Sequence, residues 1–355
     1  MKIGVMSFAH LHAASYARVL KNLPGVEILT ADPGHTERPP DELGGPQLAA
    51  GLGVSYVASY AELLAWQPDA VIVCAENARR RELVELAAAA GAHVLCEKPM
   101  ATSLADARAM VDCCSAAGVS LMVAYPVRFS PAFARLKSAY DAGALGQVVA
   151  VTGTNNGQLP VDTRTWFIDP ELAGGGSLMD HTVHVADLLH CLFSGARAVS
   201  VYAATNRLLH AERVEVETGG LVSVRYDNGV IATIDCSWSK PSSYPTWGGL
   251  TLQLVGVGGI ADLDAFGSRL EGHSAATRNA LWLPYGPDAD QLLVSEFVEA
   301  VAAGRRPQPD GEVGYRTLEI ALAGYQSVRT GQPVDLSTSP VPTAPTGEPP
   351  IGSPM

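Results

Sequence analysis

The sequence is short of basic residues and of long apolar runs, and each shortage excludes a class of partner. Its 355 residues carry 24 Lys and Arg against 36 Asp and Glu, a formal net charge of −12. An acidic surface repels nucleic acid phosphates and anionic lipid headgroups, so neither nucleic acid nor a membrane is expected. No run reaches the roughly 18 apolar residues that a membrane-spanning helix needs. The first residues also lack the basic start and apolar core of a signal peptide, so we expect a cytoplasmic protein.

The sequence also lacks the cysteine spacings of disulfide frameworks and metal sites. Its six cysteines include no Cys-x-x-Cys pair and lie mostly in apolar runs, which is typical of reduced, buried thiols. His181 and His184 are three residues apart, but no third ligand lies near them in the sequence. We therefore expect no metal.

The pattern of apolar residues divides the chain into two parts and a tail. Residues 1–125 alternate near-continuous apolar strands, such as "DAVIVCA", with helical segments. That alternation predicts an α/β Rossmann domain, a doubly wound parallel sheet covered on both faces. Residues 126–335 contain alternating strands and the hairpin pattern "RYDNGV", which predict an α+β domain with a large, mostly antiparallel sheet. Residues 336–355 are rich in Pro, Ser and Thr and should form a disordered tail.

The first strand runs into a turn without the glycines of a dinucleotide-binding loop. Ser7, Ala9 and His12 stand where the Gly-x-Gly-x-x-Gly pattern has its glycines. Ser7 and Ala9 are small enough for a phosphate to approach, and the following helix still offers free N–H groups. His12 is bulky, and we expect it to push that helix outward. On this stretch alone, a nucleotide site and an ordinary strand-to-helix corner are equally good interpretations.

An acidic residue ends the second strand, where NAD-binding proteins have the carboxylate that binds ribose hydroxyls. Asp32 follows "VEILTA" and lies 25 residues after Ser7. A carboxylate there repels the extra phosphate of NADP, although His35 and Arg38 could offset this repulsion. We therefore expect NAD or NADP as the cofactor, with NAD favoured. The residues expected to bind it here are Ser7, Phe8, Ala9, His10 and Asp32.

A Glu-Lys-Pro motif follows the apolar strand "HVLC". Because parallel sheets bind their ligands at the carboxyl ends of the strands, Glu97 and Lys98 are expected at the ligand-binding edge. Lys98 could hydrogen-bond a substrate hydroxyl there. The other interpretation is a solvated charge pair before a helix, which is what most Glu-Lys pairs are.

Three glycines lead into a second motif, "AGGGSLMDHTVHVADLL". Asp180 and His184 are four residues apart and share one helix face. A histidine can accept a proton near neutral pH, and a carboxylate one turn away can orient it. Two structural interpretations stay open: Ser177 and Asp180 fit a helix capping box, and His184 fits a core histidine satisfied by Asp187.

Together these motifs resemble the glucose–fructose oxidoreductase and inositol dehydrogenase family (Gfo/Idh/MocA), from Lys2 to about Leu336. The resemblance rests on "IGVMSFAHLHA", "DAVIVCAEN", "HVLCEKP", "VRFSPAF", "AGGGSLMDHTVHVADLL" and "GYRTLEIALAGY". It implies a Rossmann domain that binds NAD or NADP, an open-faced sheet domain, and a sugar or polyol substrate in the cleft. It also implies a catalytic trio, in which His184 takes the hydroxyl proton, Lys98 polarises that hydroxyl and Asp180 orients substrate and base.

The resemblance extends to residues around the trio and to assembly. Members of the family often pair through the sheet of the second domain, which implies a homodimer or homotetramer. The cofactor contacts that the family implies beyond the turn are Asn77, Glu97 and Lys98. The substrate contacts that it implies are Lys98, Arg128, Trp166, Asp180, His181 and His184.

The sequence departs from the family pattern in three places. The nucleotide turn has lost its glycines, which bears on cofactor affinity. Arg80 stands where the family often has His, and Thr182 replaces a frequent Gly, so the substrate is expected to be less typical. Trp166, Trp238 and Tyr244 could stack on a sugar, although burial in a core is the commoner role of such aromatic residues.

Two functions therefore fit the sequence. The first is an NAD(P)-dependent oxidoreductase acting on a secondary alcohol of a sugar, polyol or sugar derivative. The second is a non-catalytic sensing or regulatory protein on the same fold, which binds a ligand without turnover. The turn without glycines favours the sensor. Lys98, Asp180 and His184 favour the enzyme, because a sensor needs no proton shuttle.

Overall fold

The computed structural model describes residues 1–338, which begin with a six-stranded parallel sheet. Its strands are Lys2–Met6 (β1), Glu27–Ala31 (β2), Ser55–Val57 (β3), Ala70–Val73 (β4), His93–Glu97 (β5) and Leu121–Ala124 (β6). The helices between them are His12–Asn22 (α1), Gly45–Leu52 (α2), Tyr60–Ala65 (α3), Arg80–Ala89 (α4) and Leu104–Ala116 (α5). The strand order β3-β2-β1-β4-β5-β6 confirms the doubly wound sheet that the sequence predicts.

The position of the ligand-binding crevice follows from this strand order. Every residue of β4 is buried, as expected for a central strand covered by helices on both faces, and every residue of the edge strand β6 is buried as well. The order reverses between β1 and β4, and doubly wound sheets bind ligands outside the carboxyl ends of the strands at such a point. Ser7 after β1 and Lys98 after β5 both lie on this edge.

Two helices of this part begin at the capping boxes that the sequence predicts. Ser59 Oγ accepts a hydrogen bond from the Glu62 amide at 3.2 Å and donates one to its carboxylate at 2.9 Å. Ser103 and Asp106 make the same reciprocal pair at 3.1 and 2.7 Å. Each box satisfies an amide that the first helical turn would otherwise leave unpaired.

The second part is built on a seven-stranded mixed sheet. Its strands are Val148–Gly157 (β7), Ala198–Asn206 (β8), Gly219–Tyr226 (β9), Ile231–Ser237 (β10), Gly248–Gly256 (β11), Gly259–Asp264 (β12) and Val334–Asp335 (β15). A separate hairpin is formed by Arg269–Ser274 (β13) and Asn279–Pro284 (β14). The helices of the second part are Pro131–Asp141 (α6), Pro170–Ala173 (α7), Ser177–Leu192 (α8), Ala289–Ala302 (α9) and Gly311–Thr330 (α10). The sheet order is β12-β11-β7-β10-β9-β8-β15, with β7 and β10 parallel and the other pairs antiparallel, which confirms the predicted second sheet.

The two faces of this second sheet differ in burial. Along β9 and β10 the side chains alternate, so that Val222 and Ile234 are fully buried while Leu221 and Ile231 are exposed. The buried face packs on α8 and α10. Because strand side chains alternate between faces, the opposite face of the sheet is left open.

The last two helices connect the second part to the first sheet. α9 contributes Leu293 and Phe297 to the apolar core that surrounds α1. The Pro309 carbonyl accepts a hydrogen bond from the Val123 amide of β6 at 2.9 Å. Gly314 of α10 lies so close to β6 that an added Cβ would be 2.6 Å from Val123 Cγ2. Since α10 also packs on α8, it bridges the first sheet and the helix that carries Asp180.

Several elements carry no clear pattern in the sequence. β3 and β15 are only three and two residues long. The β13–β14 hairpin is exposed along most of its length, so it shows no alternation of apolar and polar residues.

Of the predicted tail, residues 339–355 lie outside the described part, whereas Leu336 is buried and donates its amide to the Val199 carbonyl. None of the helices within residues 1–338 has the length and apolar character needed to span a bilayer.

Candidate active site

The structure brings the Glu-Lys-Pro motif and the Asp-x-x-x-His motif together. Lys98 follows β5 and Asp180 lies in the first turn of α8, yet Lys98 Nζ donates to Asp180 Oδ1 at 2.8 Å. Both side chains are about 5 % exposed. The second carboxylate oxygen accepts a hydrogen bond from Trp238 Nε1 at 3.4 Å and lies 3.2 Å from His181 Nε2. Both carboxylate oxygens of Asp180 therefore have partners. Lys98 is buried, so it is not part of a solvated charge pair before a helix.

The electrostatics of Asp180 are those of a stable carboxylate. Burial raises the pKa of this group, but the charges of Lys98 and His181 and their hydrogen bonds outweigh burial and hold its pKa well below the ordinary value. The capping-box interpretation is wrong. α8 begins after Gly176 without a side-chain cap, and the buried Ser177 hydroxyl has no hydrogen-bond partner among residues 1–338.

His184 lies one helical turn beyond Asp180 and is also buried. Burial and the positive charge of Lys98 lower the pKa of His184 well below its ordinary value, and the Asp180 charge opposes them only in part. The imidazole is therefore neutral near pH 7. Its Nδ1 has no hydrogen-bond partner within the described part of the chain. Such a histidine can accept a proton from a ligand.

Asp187 does not satisfy His184, so that structural interpretation is also wrong. Arg128 binds Asp187 instead, with Nε 3.0 Å from Oδ2 and Nη2 2.5 Å from Oδ1. Asp187 is fully buried, and 13 % of the Arg128 side chain is exposed. Arg128 was expected to touch substrate, and the structure places its guanidinium in this bidentate ion pair. Its amide donates to the carbonyl of Tyr125, whose ring centroid lies 6.1 Å from that of His184.

The turn after β1 keeps the conformation of a glycine loop. Ser7 has φ +73°, in the left-handed region that favours glycine. Its hydroxyl accepts a hydrogen bond from the Ala9 amide at 3.1 Å and donates one to Asp32 Oδ1 at 3.3 Å. The backbone therefore turns as a glycine would, and the serine side chain links the turn to the acid at the end of β2.

Asp32 is fully buried at the predicted cofactor position, and its carboxylate is already engaged. Gly45 donates its amide to Oδ2 at 2.8 Å, and Arg38 forms an ion pair with Oδ1. Two further nitrogens of the Arg38 guanidinium, Nε and Nη1, are buried without a partner among residues 1–338. Buried donors of this kind normally have an acceptor, so the site fits a ligand with hydroxyl or phosphate oxygens at this point.

Glu97 organises the residues between the turn and Lys98. Its Oε1 accepts from the Tyr16 hydroxyl at 2.6 Å and lies 2.9 Å from His12 Nδ1, and its Oε2 accepts from the Lys98 amide. The His12 ring, which we expected to push α1 outward, turns toward Glu97, and Tyr16 and Ala17 of α1 pack in one core with β1. His10, His12 and Glu97 are the one trio within residues 1–338 with metal-ligand spacing, but His10 Nδ1 already accepts the His12 amide at 3.2 Å.

A segment of the second part, residues 160–168, lies against the nucleotide turn, and we name it the strap. Its Trp166 Nε1 and Arg164 Nε each donate to the Ala9 carbonyl at 3.0 Å. Trp166 is buried and stacks on Phe167 at 4.0 Å, so it supports the turn and offers no open surface to a sugar. Nothing in the sequence spacing points to Arg164, because its partner Ala9 is 155 positions away.

The remaining predicted contacts are buried beside the same edge. Asn77 Nδ2 donates to the Ala173 carbonyl at 2.8 Å, and its Oδ1 has no partner among the described residues. His181 is 1 % exposed and packs edge-on against Trp247 at 5.7 Å. Of the other stacking candidates, Trp238 is fully buried. The structure thus gathers the predicted cofactor and catalytic residues along one edge, most of them held by other protein groups.

Known proteins match the chain over both sheets. The oxidoreductase family with an NAD-binding Rossmann fold matches residues 3–125, and the GFO/IDH/MocA C-terminal domain matches residues 133–262. D-apiose dehydrogenase of Paraburkholderia graminis is 30% identical over 354 residues, covering 94% of this chain and 88% of the relative. 1,5-Anhydro-D-fructose reductase of Ensifer adhaerens is 30% identical over 301 residues, covering 83% and 88%.

A solved structure gives the same result at the level of the fold. The crystal structure of GenD2 from gentamicin A biosynthesis, in complex with NAD, superimposes with a TM-score of 0.84 at 25% sequence identity. The superposition covers 95% of this chain and 97% of that one. The two ranges matched by the family descriptions include Lys98, Asp180 and His184.

Proposed function

This chain belongs to the Gfo/Idh/MocA family of oxidoreductases. On that premise we propose that it oxidises a secondary alcohol of a sugar, polyol or sugar derivative with NAD or NADP, or catalyses the reverse reduction. The observation that carries the proposal is the 2.8 Å contact between Lys98 Nζ and Asp180 Oδ1, with His184 one helical turn away. A sugar dehydrogenase and a sugar-derivative reductase among the relatives support this substrate class.

Each member of the trio has a separate task in this reaction. Lys98 hydrogen-bonds the reacting hydroxyl and stabilises negative charge on its oxygen. Neutral His184 takes the hydroxyl proton as the carbonyl forms. Asp180 orients Lys98 and balances the charge that His184 gains. A bound nicotinamide would supply the hydride acceptor for the carbinol carbon.

The cofactor would be held by the edge that carries the turn. The amides from Ser7 to His10, near the start of α1, suit a pyrophosphate, and Asp32 suits the ribose hydroxyls. Asn77 and Glu97 border the same edge. Arg38 forms an ion pair with Asp32 and has two nitrogens without a partner among residues 1–338, which would bind a 2′-phosphate. We therefore propose that NAD is used and that NADP is tolerated.

A turnover assay tests the proposal. Purified protein is offered a panel of aldoses, cyclitols and sugar acids with NAD or NADP, and NADH or NADPH formation is followed by absorbance. Lys98→Met should lower kcat by about 100-fold or more while nucleotide still binds, because the lost donor matters most when negative charge develops on the reacting oxygen in the transition state. Exposed Lys21→Met on α1 is the matched control.

The sensor alternative gives the opposite result. If the wild-type chain binds sugar and nucleotide but turns over no member of the panel, and Lys98→Met leaves sugar binding unchanged, the protein is a binding protein and the dehydrogenase proposal fails.

We also propose that two copies pair through the open face of the second sheet. This face exposes Tyr202, Leu221 and Ile231, with Leu221 61 % and Ile231 55 % accessible. Apolar side chains on adjacent strands form the kind of surface that a second copy can cover. Light scattering of the wild-type chain and of Ile231→Lys tests this, since the charge should shift the protein toward monomers.

The division of the chain and its compartment are proposed on related grounds. Residues 1–125 would bind the cofactor, and residues 126–335 would supply the substrate side and the pairing surface. All six cysteines are free thiols, which suits the reducing cytoplasm. Mass spectrometry of alkylated protein from cells tests the last point.

A further inference from the structure

Arg80 is a fully buried arginine beside the candidate active site. It is the first residue of α4, just beyond the carboxyl end of β4, and none of its surface is accessible. Taking a guanidinium charge out of water is costly unless its hydrogen bonds are replaced. A residue such as methionine would fill the same space without that cost, so the guanidinium itself has a task here.

Two of the three hydrogen bonds of Arg80 go to the backbone on either side of Lys98, and its Nη2 is buried without a partner among residues 1–338. Nε donates to the Ala75 carbonyl at 2.9 Å, at the end of β4. Nη1 donates to the carbonyls of Glu97, at 3.1 Å, and of Pro99. These two carbonyls flank Lys98 on either side, so one nitrogen of Arg80 holds the chain before and after the lysine.

The side chain of Lys98 starts from this clamped segment. Its amide donates to Glu97 Oε2 at 3.0 Å, and its Nζ reaches Asp180 at 2.8 Å. A shift of the backbone at Lys98 would therefore move the ammonium group away from Asp180, which belongs to another part of the chain. Misplacing a reacting group by about 1 Å can cost about 100-fold in rate.

We propose that Arg80 is a positioning residue that sets the place of Lys98 through the carbonyls of Glu97 and Pro99. The expected effect of Arg80 on rate rests on the proposed function. The expected effect of Arg80 on the Lys98–Asp180 contact does not. Arginine suits this task better than lysine, because its planar fork presents several donors in fixed directions. Arg80 itself touches neither Asp180 nor His184 in the hydrogen bonds described above.

The test compares Arg80→Met and Arg80→Lys with Arg81→Met. Arg81 is the next residue on α4, but it is half-exposed and binds Glu85 and Asp106 at the surface. In Arg80→Met we expect kcat to fall about 100-fold, with the sugar KM and the nucleotide Kd within about threefold of wild type. Arg80→Lys, which can reach some of the carbonyls, should recover part of this loss, and Arg81→Met should lose nothing.

Two measurements separate positioning from general support of the fold. A substrate deuterated at the carbinol carbon should show a larger isotope effect on kcat in Arg80→Met, because the chemical step becomes slower. Crystals of Arg80→Met should show the Lys98–Asp180 contact broken while α4 and β5 keep their places.

The outcomes distinguish this inference from the proposed function. Wild-type kcat in folded Arg80→Met or Arg80→Lys, or an intact Lys98–Asp180 contact in the Arg80→Met crystals, overturns it. Failure of both variants to fold also overturns it, since Arg80 would then be a determinant of the fold. If the wild-type chain turns over no sugar or polyol, the proposed function fails, and the crystal comparison alone decides the role of Arg80.

Discussion

Single residues in this protein perform tasks that the usual sequence patterns assign to other residue types. Ser7 adopts the left-handed backbone of a loop glycine, a conformation that costs other residues about 1–2 kcal/mol. Its hydroxyl holds the Ala9 amide and contacts Asp32, which offsets part of that cost. The loss of the glycines therefore does not by itself remove the turn, and the affinity for nucleotide depends on what surrounds it.

Arg38 is expected to determine how well NADP is used. Arg38→Gln removes the cation beside Asp32, so the 2′-phosphate would meet a bare carboxylate. We expect kcat/KM with NADP to fall about 10-fold or more, and kcat/KM with NAD to change by less than about threefold, since one charge-assisted hydrogen bond is lost. Exposed Arg18→Gln serves as the control. An equal loss with both nucleotides would show that Arg38 only supports the loop.

The rate should depend on the ionisation of His184. Burial and Lys98 lower the pKa of this histidine, so the imidazole stays neutral to a pH below its ordinary value of about 6.5. Activity that needs neutral His184 should therefore persist on acidification and decline only at a midpoint below pH 6.5. A profile of kcat/KM between pH 4.5 and 9, about the range in which a histidine titrates, measures that midpoint. A midpoint at or above 6.5 would exclude His184 as the base.

At the scale of elements, the strap holds the nucleotide turn through hydrogen bonds to its carbonyls. Arg164 donates to Ala9 and, at 2.9 Å, to the Leu43 carbonyl, and so ties the turn to the loop that covers Asp32. Thr165 donates its amide and hydroxyl to Glu42 on the same loop. The strap belongs to the second part of the chain, so the cofactor edge is assembled from both parts.

Loss of the strap contacts should weaken nucleotide binding without slowing the chemical step. In Arg164→Met the Ala9 and Leu43 carbonyls lose a buried donor each, and we expect the Kd for NADH to rise about 10-fold. Trp166→Phe, which removes one donor, should raise it less. Fluorescence titration gives the Kd, and kcat at saturating nucleotide should stay within about threefold.

A nearby variant controls for disturbance of the strap itself. Arg213 forms an ion pair with Asp162 on the exposed side of the strap, and Arg213→Met should leave the Kd unchanged. If Arg164→Met and Arg213→Met behave alike, the strap does not hold the turn.

At the scale of the whole molecule, several histidines are buried in the neutral form. Burial lowers the pKa of His10 and of His184, and lowers that of His190 to about 4. His12 is the opposite case: burial lowers its pKa, but the Glu97 carboxylate outweighs burial and raises it. Below pH 6.5 the unfolded chain therefore binds more protons than the folded one at three of these four sites.

Stability should consequently fall on mild acidification. Each histidine with a lowered pKa stabilises the folded chain above pH 6.5, and this stability is lost as the pH falls, by about 1 kcal/mol per site at pH 5.5. His12 has a raised pKa, so it makes the folded chain more stable on acidification and offsets one of these sites. We expect Tm to decrease between about pH 7.5 and 5.5. Scanning calorimetry at several pH values measures the change. Replacing His190 by Gln should reduce the dependence on pH, and an unchanged slope would contradict this account.

The sequence by itself determined the elements and the chemical character of the site. Five of the six parallel strands, the hairpin at Asn228 and the capping boxes depend on residues that are near one another in the chain, since strand and helix periods are local properties. The position of Lys98 at a strand end and the four-residue spacing of Asp180 and His184 are local as well. These patterns were sufficient for the fold class and for two halves of an active site.

Only the tertiary structure decided how those halves meet and what holds them. Lys98 and Asp180 are 82 residues apart, and no local rule states that one will neutralise the other. The contacts of Asp187, Trp166 and Arg80 differ from what their sequence context suggests, because each is set by a partner supplied by another element. Burial and long-range hydrogen bonds depend on how sheets and helices pack, and packing is a property of the folded chain as a whole.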